Sequence, residues 1–446
     1  MPTSTWTGRY VQEGCGGYCG VVNPGPPALS TGCPAVAGNE LALATDDEGH
    51  TSNSSTDAQW AANNPAARVS FGYSSEHELA VAAKALITRY YGRQPEYSYF
   101  DGCSDGGREA LIEAQRYPHD FNGILVGAPG NIESELNGEF EDWLIQANTD
   151  GSGHEILTSE KVPALHQEVL KACGGEDGYI VDPRRCDFNP AAMQCAAGTD
   201  DDQCLTSAQV AAVGRFYRGP SNADGESLYP GGEPYGSELA WAGWFVDGAS
   251  DRAWPTDTPA YQFASGFMRY MTKQVNPQSS FTLSQFRFNL TDYQNLTALD
   301  DTYDAIDPDL SVFAKAGGKI LMYQGWADQA IPPFGTVAYY GAVVNKSGGF
   351  SASQQFSRLY MIPAQYHCLA GGDPQVTGDL LGPLMTWVQQ GTAPNDLSFP
   401  LVQPTPTLKA ISVSPLNPLV PVTEGSSTLN AHYSWVGSFP TPTANQ

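Results

Sequence analysis

The sequence predicts a fold of the α/β class, with a parallel sheet that the chain builds in two parts. In residues 1–130, short apolar runs with strand character alternate with stretches of helical periodicity. A similar alternation returns after residue 317, and the stretch between the two differs from both in composition. Alternating strands and helices are typical of parallel sheets, because each helix carries the chain back to the start of the next strand.

Composition excludes several classes of function. The 446 residues include 48 Asp or Glu and 22 Lys or Arg, which gives a net charge of −26. Such a chain repels polyphosphates, so we expect no nucleic-acid partner. Hydrophobic residues make up 41% of the chain and charged residues 16%, which is typical of a packed globular protein. We also expect no membrane span, since the sequence has no apolar run of about 18 residues.

The first predicted part of the sheet lies in residues 1–130. TGRYVQEG, NELALATDD, YSYFD and GILVGAP have the character of strands. Residues 77–91 predict a helix, because their apolar positions recur on one helical face. A second helix follows the YSYFD strand after a Gly-rich turn and ends at Pro118.

Residues 131–316 predict an insertion with a small core of its own, since they combine long polar loops with four of the nine cysteines. The sheet resumes in residues 317–446. KILMYQG and SRLYMIP read as strands, FGTVAYYGAVV and residues 380–390 as helices, and LKAISVSP as a strand-like piece of the tail.

The turn after the YSYFD strand carries the strongest chemical signal. Residues 102–106, GCSDG, match G-x-S-x-G between a predicted strand and a predicted helix, which is the context this motif requires. Glycines are needed there because the serine sits on a sharp, strained turn. We therefore predict Ser104 as a nucleophile, which needs a base to remove its proton.

Asp328 and His367 are the predicted partners of Ser104. Each follows a later predicted strand, in the order serine, aspartate, histidine that this architecture uses. His367 would act as general base and then acid, and Asp328 would orient its ring. Each also has a plainer interpretation, since an aspartate after a strand often forms a turn and a lone histidine is often structural.

The cysteines indicate an oxidising compartment. Nine cysteines without paired CxxC motifs, in an acidic and Lys-poor chain, favour disulfides over a zinc site. We expect an exported protein whose signal peptide is absent from this chain, because MPTSTWTGRY is not a basic and apolar leader. Cys103 precedes Ser104 and Cys368 follows His367, so a bridge would join the two loops, although both could be unrelated core residues.

Together these motifs resemble the tannase and feruloyl esterase family of α/β-hydrolases. The resemblance rests on GCSDGGREAL, on the cysteines beside Ser104 and His367, and on TGRYVQEGCGGYCG, GILVGAP, GWADQAIPP and YHC. It implies an α/β-hydrolase core formed by residues 1–130 and 317–446, with residues 131–316 as a lid domain. It also implies that Ser104, Asp328 and His367 form a catalytic triad.

The resemblance implies further pairings and donors. Cys103 would pair with Cys368, and Cys173 with Cys186. A further disulfide would join Cys195 to Cys204. Among the N-terminal cysteines, we favour a pair of Cys19 with Cys33. The oxyanion hole of the general fold uses the N–H after the nucleophile, here that of Asp105. The resemblance points to Gly16 as the second donor, although GCGG could be an ordinary tight turn.

The lid departs from the family pattern at its calcium loop. The corresponding stretch, CGGEDGYIVDP, is short and keeps only Glu176 and Asp177 of the first acidic positions. Calcium prefers six to eight oxygen ligands, so we expect no metal site and no cofactor for catalysis.

We expect a secreted serine esterase acting on hydroxycinnamate esters, either small phenolic esters or feruloylated cell-wall saccharides. Four lid aromatic residues, Trp241, Trp244, Phe245 and Trp254, could stack on a phenolic ring or form the lid core. Gallate esters, chlorogenate and, less readily, a terephthalate monoester need the same kind of pocket. A carbohydrate-binding protein that kept the fold is a different class, and it would not need all three triad residues.

Overall fold

A six-stranded parallel sheet forms the centre of the protein. The structure, a computed structural model, describes residues 1–23, 25, 27, 29–174, 178–247, 257–272, 280–422 and 435–439. The strands are β1 (Arg9–Glu13), β2 (Leu41–Ala44), β3 (Tyr97–Cys103), β4 (Gly123–Gly127), β5 (Lys319–Gly325) and β6 (Ser357–Ile362). Their order across the sheet is β2-β1-β3-β4-β5-β6. Two further strands, β7 (Leu397–Pro400) and β8 (Ala410–Val413), form a separate antiparallel pair.

Helices flank the sheet and recur along the chain between β4 and β5. In chain order they are α1 (Pro34–Ala37), α2 (Pro65–Val69), α3 (Ser75–Tyr91), α4 (Asp105–Arg116), α5 (Glu133–Glu135), α6 (Glu141–Ala147), α7 (Val162–Cys173), α8 (Ser207–Arg218), α9 (Glu238–Trp241), α10 (Pro259–Tyr270), α11 (Leu290–Thr297), α12 (Asp300–Tyr303), α13 (Ser311–Lys315), α14 (Pro333–Lys346), α15 (Phe350–Ser353) and α16 (Leu381–Gln390).

The predicted α/β class is confirmed, and the six predicted strands of the two core regions are the six strands of the sheet. The helix predicted over residues 77–91 begins two residues earlier, at Ser75. It does so because α2 continues through a π-helical turn, Ser70–Ser74, directly into α3. Gly92, at φ 75°, ends the helix in the left-handed region that glycine adopts readily.

Alternation along each strand sends neighbouring side chains to opposite faces of the sheet. Tyr10 and Phe100 belong to the core on one face, whereas Val11 and Tyr99 belong to the core on the other. Both faces are therefore buried, as is usual for a parallel sheet. A third apolar cluster lies largely between β4 and β5 and also includes residues from the first part of the chain, such as Tyr18 and Phe71.

Four disulfides are present. Three pairs match those expected, namely Cys103–Cys368, Cys173–Cys186 and Cys195–Cys204. The expected pair of Cys19 with Cys33 is wrong, because Cys19 is bridged to Cys15 within the same Gly-rich turn. Cys33 is a buried free cysteine that packs in the core on one sheet face.

No helix among the described residues has both the length and the apolar character needed to cross a bilayer.

Many carboxyl groups are buried in this acidic protein. In Asp101, Glu113 and Glu139, neither side-chain oxygen has a hydrogen-bond partner among the described residues. Burial disfavours the charged form of a carboxyl group, so it raises the pKa. Burial raises the pKa of Glu13 to about 7, that of Asp304 to about 6 and, with help from Asp304, that of Asp300 to about 8.

We predict that the protein is more stable at pH 5 than at pH 8. These groups bind protons more tightly when folded, so their stabilising contribution is fully present below the unfolded pKa of about 4 and is lost as pH rises. Melting temperatures across this range measure the effect, and Asp300→Asn should weaken the pH dependence. A melting temperature that rises between pH 5 and pH 8 would contradict the prediction.

Candidate active site

Ser104 occupies a strained turn between β3 and α4. Its backbone has φ 68° and ψ −123°, which few residues with a side chain adopt. The turn is tight because the neighbouring backbones nearly touch. A Cβ at Gly102 would lie 2.2 Å from the Gly106 carbonyl oxygen, and one at Gly107 would lie 2.2 Å from that of Gly127. Only glycine fits these two positions, of which Gly102 belongs to the motif and Gly107 directly follows it.

Hydrogen bonds fix the backbone of Ser104 on both sides. Its N–H donates to the Gly127 carbonyl oxygen at 3.0 Å, which ties the turn to the end of β4. Its own carbonyl oxygen accepts the N–H of Gly107 and of Gly130, each at 3.0 Å. The serine is thus held by the helix that follows it and by the loop after the adjacent strand.

Asp328 and His367 contact each other directly. Nδ1 of His367 lies 3.1 Å and 3.0 Å from the two carboxylate oxygens of Asp328. Asp328 is fully buried, and its Oδ1 also accepts the backbone N–H groups of Ala330 and Ile331, both at 3.0 Å. The carboxylate is therefore fixed in orientation and presents a well-defined acceptor to the histidine ring.

The Cys103–Cys368 disulfide brings the serine turn and the histidine loop together. The Cα atoms of the bridged residues are 5.9 Å apart, and each cysteine is the immediate neighbour of Ser104 or His367. The other ring nitrogen of His367, Nε2, lies 3.5 Å from the Cys368 Sγ. The three predicted residues therefore come from loops after β3, β5 and β6 at the carboxyl edge of the sheet.

Of the two predicted oxyanion donors, Asp105 lines the cavity at Ser104, whereas Gly16 precedes Gly17, the lining residue of the Gly-rich turn. Within the described ranges, neither the backbone N–H of Gly16 nor that of Asp105 has a hydrogen-bond acceptor. Gly16 is exposed, and a Cβ built on it would meet no atom within 4 Å. The side chain of Asp105 is occupied elsewhere, because it pairs with the fully buried Arg108 at 2.5 Å. Its backbone N–H remains at the first position of α4.

The cavity at Ser104 has one apolar wall and one polar wall. Its volume is about 40 Å³. Trp244 and Phe263 form part of the apolar wall. The polar wall consists of Glu133, Asn137 and Glu141, all buried.

Of the four aromatic residues considered for substrate contact, Trp244 alone is placed at this cavity. Trp241 and Phe245 are fully buried against Phe216 inside the insertion, which agrees with the alternative that they form its core. Trp254 lies outside the described residues. The polar wall of Glu133, Asn137 and Glu141 was not expected from the sequence. These residues follow β4 closely, and residues just after a strand of a parallel sheet lie near its carboxyl edge, so their position could have indicated the site.

Burial also affects the polar wall of the cavity. It raises the pKa of Glu133, and the nearby Asp105 carboxylate acts in the same direction. It likewise raises the pKa of Glu141. A carboxyl group with a raised pKa stays neutral over a wider pH range. In its neutral form it can donate as well as accept a hydrogen bond.

That calcium binding by the shortened loop is absent or weak stays a prediction. Glu176 and Asp177 lie outside the described residues. Asp182, the next acidic residue, accepts from the Arg184 guanidinium at 2.9 Å and 2.7 Å through both of its oxygens.

Two other groups of potential ligands occur in the described residues. Cys15 and Cys19 lie near Glu48, Asp105 and Glu109, but their sulfurs are joined in the disulfide. Away from Ser104, Glu135, Asp300 and Asp304 bring their carboxylate oxygens within 4.8 Å of one another.

Comparison with known proteins gives consistent matches. The family model described as tannase and feruloyl esterase matches residues 1–412. An uncharacterized esterase of Xanthomonas campestris pv. campestris is 31% identical over 434 residues, covering 88% of this chain and 72% of the relative. The mono(2-hydroxyethyl) terephthalate hydrolase of Piscinibacter sakaiensis is 30% identical, covering 89% and 73%.

Solved structures of similar fold include feruloyl esterase B from Aspergillus oryzae and tannin acyl hydrolase from Aspergillus niger. The first has a TM-score of 0.77 and 25% identity, covering 92% of this chain and 81% of that one. The second has a TM-score of 0.75 and 20% identity, covering 97% and 83%.

We predict that the double variant Cys103→Ala with Cys368→Ala folds but loses most of its kcat. The bridge spans 265 residues of sequence, so its removal costs up to about 5 kcal/mol of chain entropy. Loss of alignment by about 1 Å can cost roughly a hundredfold in rate. Ester hydrolysis below the melting temperature of the variant measures the effect.

The matched control removes another disulfide, by Cys195→Ala with Cys204→Ala in the insertion. It should lower the melting temperature without a comparable loss of kcat. Equal losses of kcat in the two double variants would contradict a specific role for the bridge beside Ser104.

Proposed function

The chain belongs to the tannase and feruloyl esterase family and is a carboxylic ester hydrolase, and from this premise we propose that it hydrolyses phenolic esters through a serine acyl-enzyme. The observation that carries the mechanism is the joining of the Ser104 turn to the Asp328–His367 pair through the Cys103–Cys368 bridge.

In the proposed mechanism, Nε2 of His367 takes the proton from Ser104 as its Oγ attacks the ester carbonyl carbon. Asp328 accepts from Nδ1, which keeps the ring in the tautomer that leaves Nε2 free, and it stabilises the imidazolium that forms. His367 then gives the proton to the leaving alcohol. A water molecule, activated by the same nitrogen, hydrolyses the acyl-enzyme and releases the phenolic acid.

The negative charge that develops on the carbonyl oxygen needs fixed donors. The N–H groups of Gly16 and Asp105 are the proposed pair, because both lack acceptors within the described part of the chain. Donors that are already oriented stabilise the tetrahedral intermediate without reorganising, and the loss of one such donor typically costs about a hundredfold or more in rate.

The walls of the Ser104 cavity support an aromatic acyl group. Trp244 and Phe263 offer ring faces or edges for a phenolic ring. Glu133, Asn137 and Glu141 offer donors and acceptors for ring hydroxyl or methoxy groups. We therefore favour hydroxycinnamate esters, either as small phenolic esters or as feruloylated saccharides. Several relatives are named probable feruloyl esterases, which is consistent with this choice.

Gallate and chlorogenate esters are the closest alternatives, since the same walls would accept them. A terephthalate monoester is also an aromatic ester, and one relative is named for that substrate. A carbohydrate-binding role without catalysis would not require the buried Asp328 and its contact with His367.

The helical segment between β4 and β5 would serve as the lid. It supplies Glu133, Trp244 and Phe263 to the cavity walls, whereas Ser104 comes from the sheet. The lid would thus select the substrate and the core would perform the chemistry. The four disulfides support an extracellular location, because such bridges persist in oxidising compartments.

We predict that Ser104→Ala and His367→Ala each lower kcat by about 10³-fold or more while the protein still folds, because the triad acts as a unit. Hydrolysis of p-nitrophenyl acetate and methyl ferulate measures the loss, and circular dichroism verifies the fold. His154→Ala, at an exposed histidine of the insertion, is the control and should retain activity. A Ser104→Ala variant with a tenth of the wild-type rate would refute the mechanism.

We predict a higher kcat/KM for methyl ferulate than for methyl gallate. The apolar wall at Trp244 and Phe263 suits the feruloyl group better than the galloyl group, because the feruloyl group is longer and has fewer hydroxyl groups. Rates with both esters under the same conditions decide the preference. Faster cleavage of the gallate ester would assign the protein to the tannase alternative instead.

A further inference from the structure

We propose that Glu109 is a positioning residue for the oxyanion hole. From α4, the helix that begins next to Ser104, its carboxyl group holds the loop that carries the Gly16 N–H. This inference rests on the proposed serine esterase function and assigns a role to a buried acid that the chemical steps do not use.

The contact is direct and buried. Glu109 is 2% exposed and lies about one helical turn beyond Asp105. The backbone N–H of Cys15 donates to both of its oxygens, at 3.2 Å to Oε2 and 3.4 Å to Oε1. On the other side of the same residue, the Cys15 carbonyl oxygen accepts the N–H of Gly106 at 2.8 Å. Both backbone polar groups of Cys15 are therefore held by α4.

Peptide geometry carries this restraint to Gly16. The Cys15 carbonyl and the Gly16 N–H belong to one planar peptide group, in which the two bonds point in opposite directions when the peptide is trans. Because Gly106 holds the Cys15 carbonyl oxygen, the plane of the Cys15–Gly16 peptide, and with it the direction of the Gly16 N–H, is fixed relative to α4. That N–H has no acceptor among the described residues, and the position is open to solvent.

The loop packs against Glu109 with little free space. A Cβ at Gly14 would lie 2.1 Å from Oε2 of Glu109 and 2.8 Å from Cα of Gly106. The loop is also closed on itself by the Cys15–Cys19 bridge and by a hydrogen bond from the Cys19 N–H to the Gly16 carbonyl oxygen at 3.2 Å. A shift of the Glu109 side chain would therefore move the turn as a unit.

The contact needs an acceptor oxygen and not a charge. Burial raises the pKa of Glu109, and the carboxylates of Glu48, Glu76 and Asp105 act in the same direction against Arg108. A neutral carboxyl group still accepts the Cys15 N–H through its carbonyl oxygen. A glutamine keeps such an oxygen, whereas a methionine of similar volume does not.

The test compares Glu109→Gln with Glu109→Met. We expect the methionine variant to lose roughly tenfold to a hundredfold in kcat with KM changed by less than about threefold, since a displaced donor weakens the transition state more than substrate binding. The glutamine variant should keep most of the wild-type kcat.

Glu113 supplies the matched control. It is buried on the same helix, and neither of its carboxylate oxygens has a partner among the described residues. Glu113→Gln and Glu113→Met make the same changes in burial and charge without a contact to the Gly-rich loop. Both should hydrolyse esters with a kcat close to that of the wild type.

The outcomes separate this inference from the proposed function. If Ser104→Ala retains activity, the proposed function fails first. If Ser104→Ala is inactive but the methionine and glutamine variants of Glu109 have equal kcat, the positioning role is refuted. If Glu109→Met does not fold, a Glu109→Gln variant that has lost tenfold or more in kcat would refute it equally.

Discussion

The close approach of β3 to α4 at Ser104 is the constraint on which the rest of the site depends. The two backbones are so near that a side chain is excluded at Gly102, the end of β4 excludes one at Gly107, and Ser104 itself adopts a positive φ. That geometry places the serine at the carboxyl edge of the sheet and starts α4 directly behind it. The N–H of Asp105 and the contacts of Gly106 and Glu109 with the Gly-rich loop all follow from the same turn.

The sheet then assembles the site from distant parts of the chain. β5 begins about 190 residues after the end of β4, and β6 comes later still. Both strands nevertheless continue the same sheet, and the loops that follow them carry Asp328 and His367. Most residues of a third apolar cluster lie in the intervening helices, and others, such as Tyr18 and Phe71, come from the first part of the chain, so these helices pack against the part that forms the sheet. The division between a sheet that holds reactive groups and a helical segment that supplies cavity walls is therefore a consequence of where the insertion enters.

The sequence was sufficient for the fold and for the placement of Ser104, Asp328 and His367 after β3, β5 and β6, because each follows a strand with a clear apolar pattern and the G-x-S-x-G motif requires a specific turn. It was insufficient where geometry decides between equivalent residues. Cys19 could pair with Cys15 or Cys33, and only the tight turn favours Cys15. Trp241 and Trp244 have the same chemistry, but one fills a core and the other borders a cavity. Glu109 and Glu133 look like surface acids in the sequence, since burial of a carboxyl group leaves no local pattern.

The Cys103–Cys368 bridge also links two distant parts of the chain by a covalent bond, which hydrogen bonds cannot do. It closes a ring of chain that contains the whole insertion, including its exposed loops. One proteolytic cut inside that ring leaves Ser104 and His367 on two fragments that are still a single molecule. Cleavage of an exposed loop in the insertion is therefore tolerated, because a cut there does not separate His367 from Ser104.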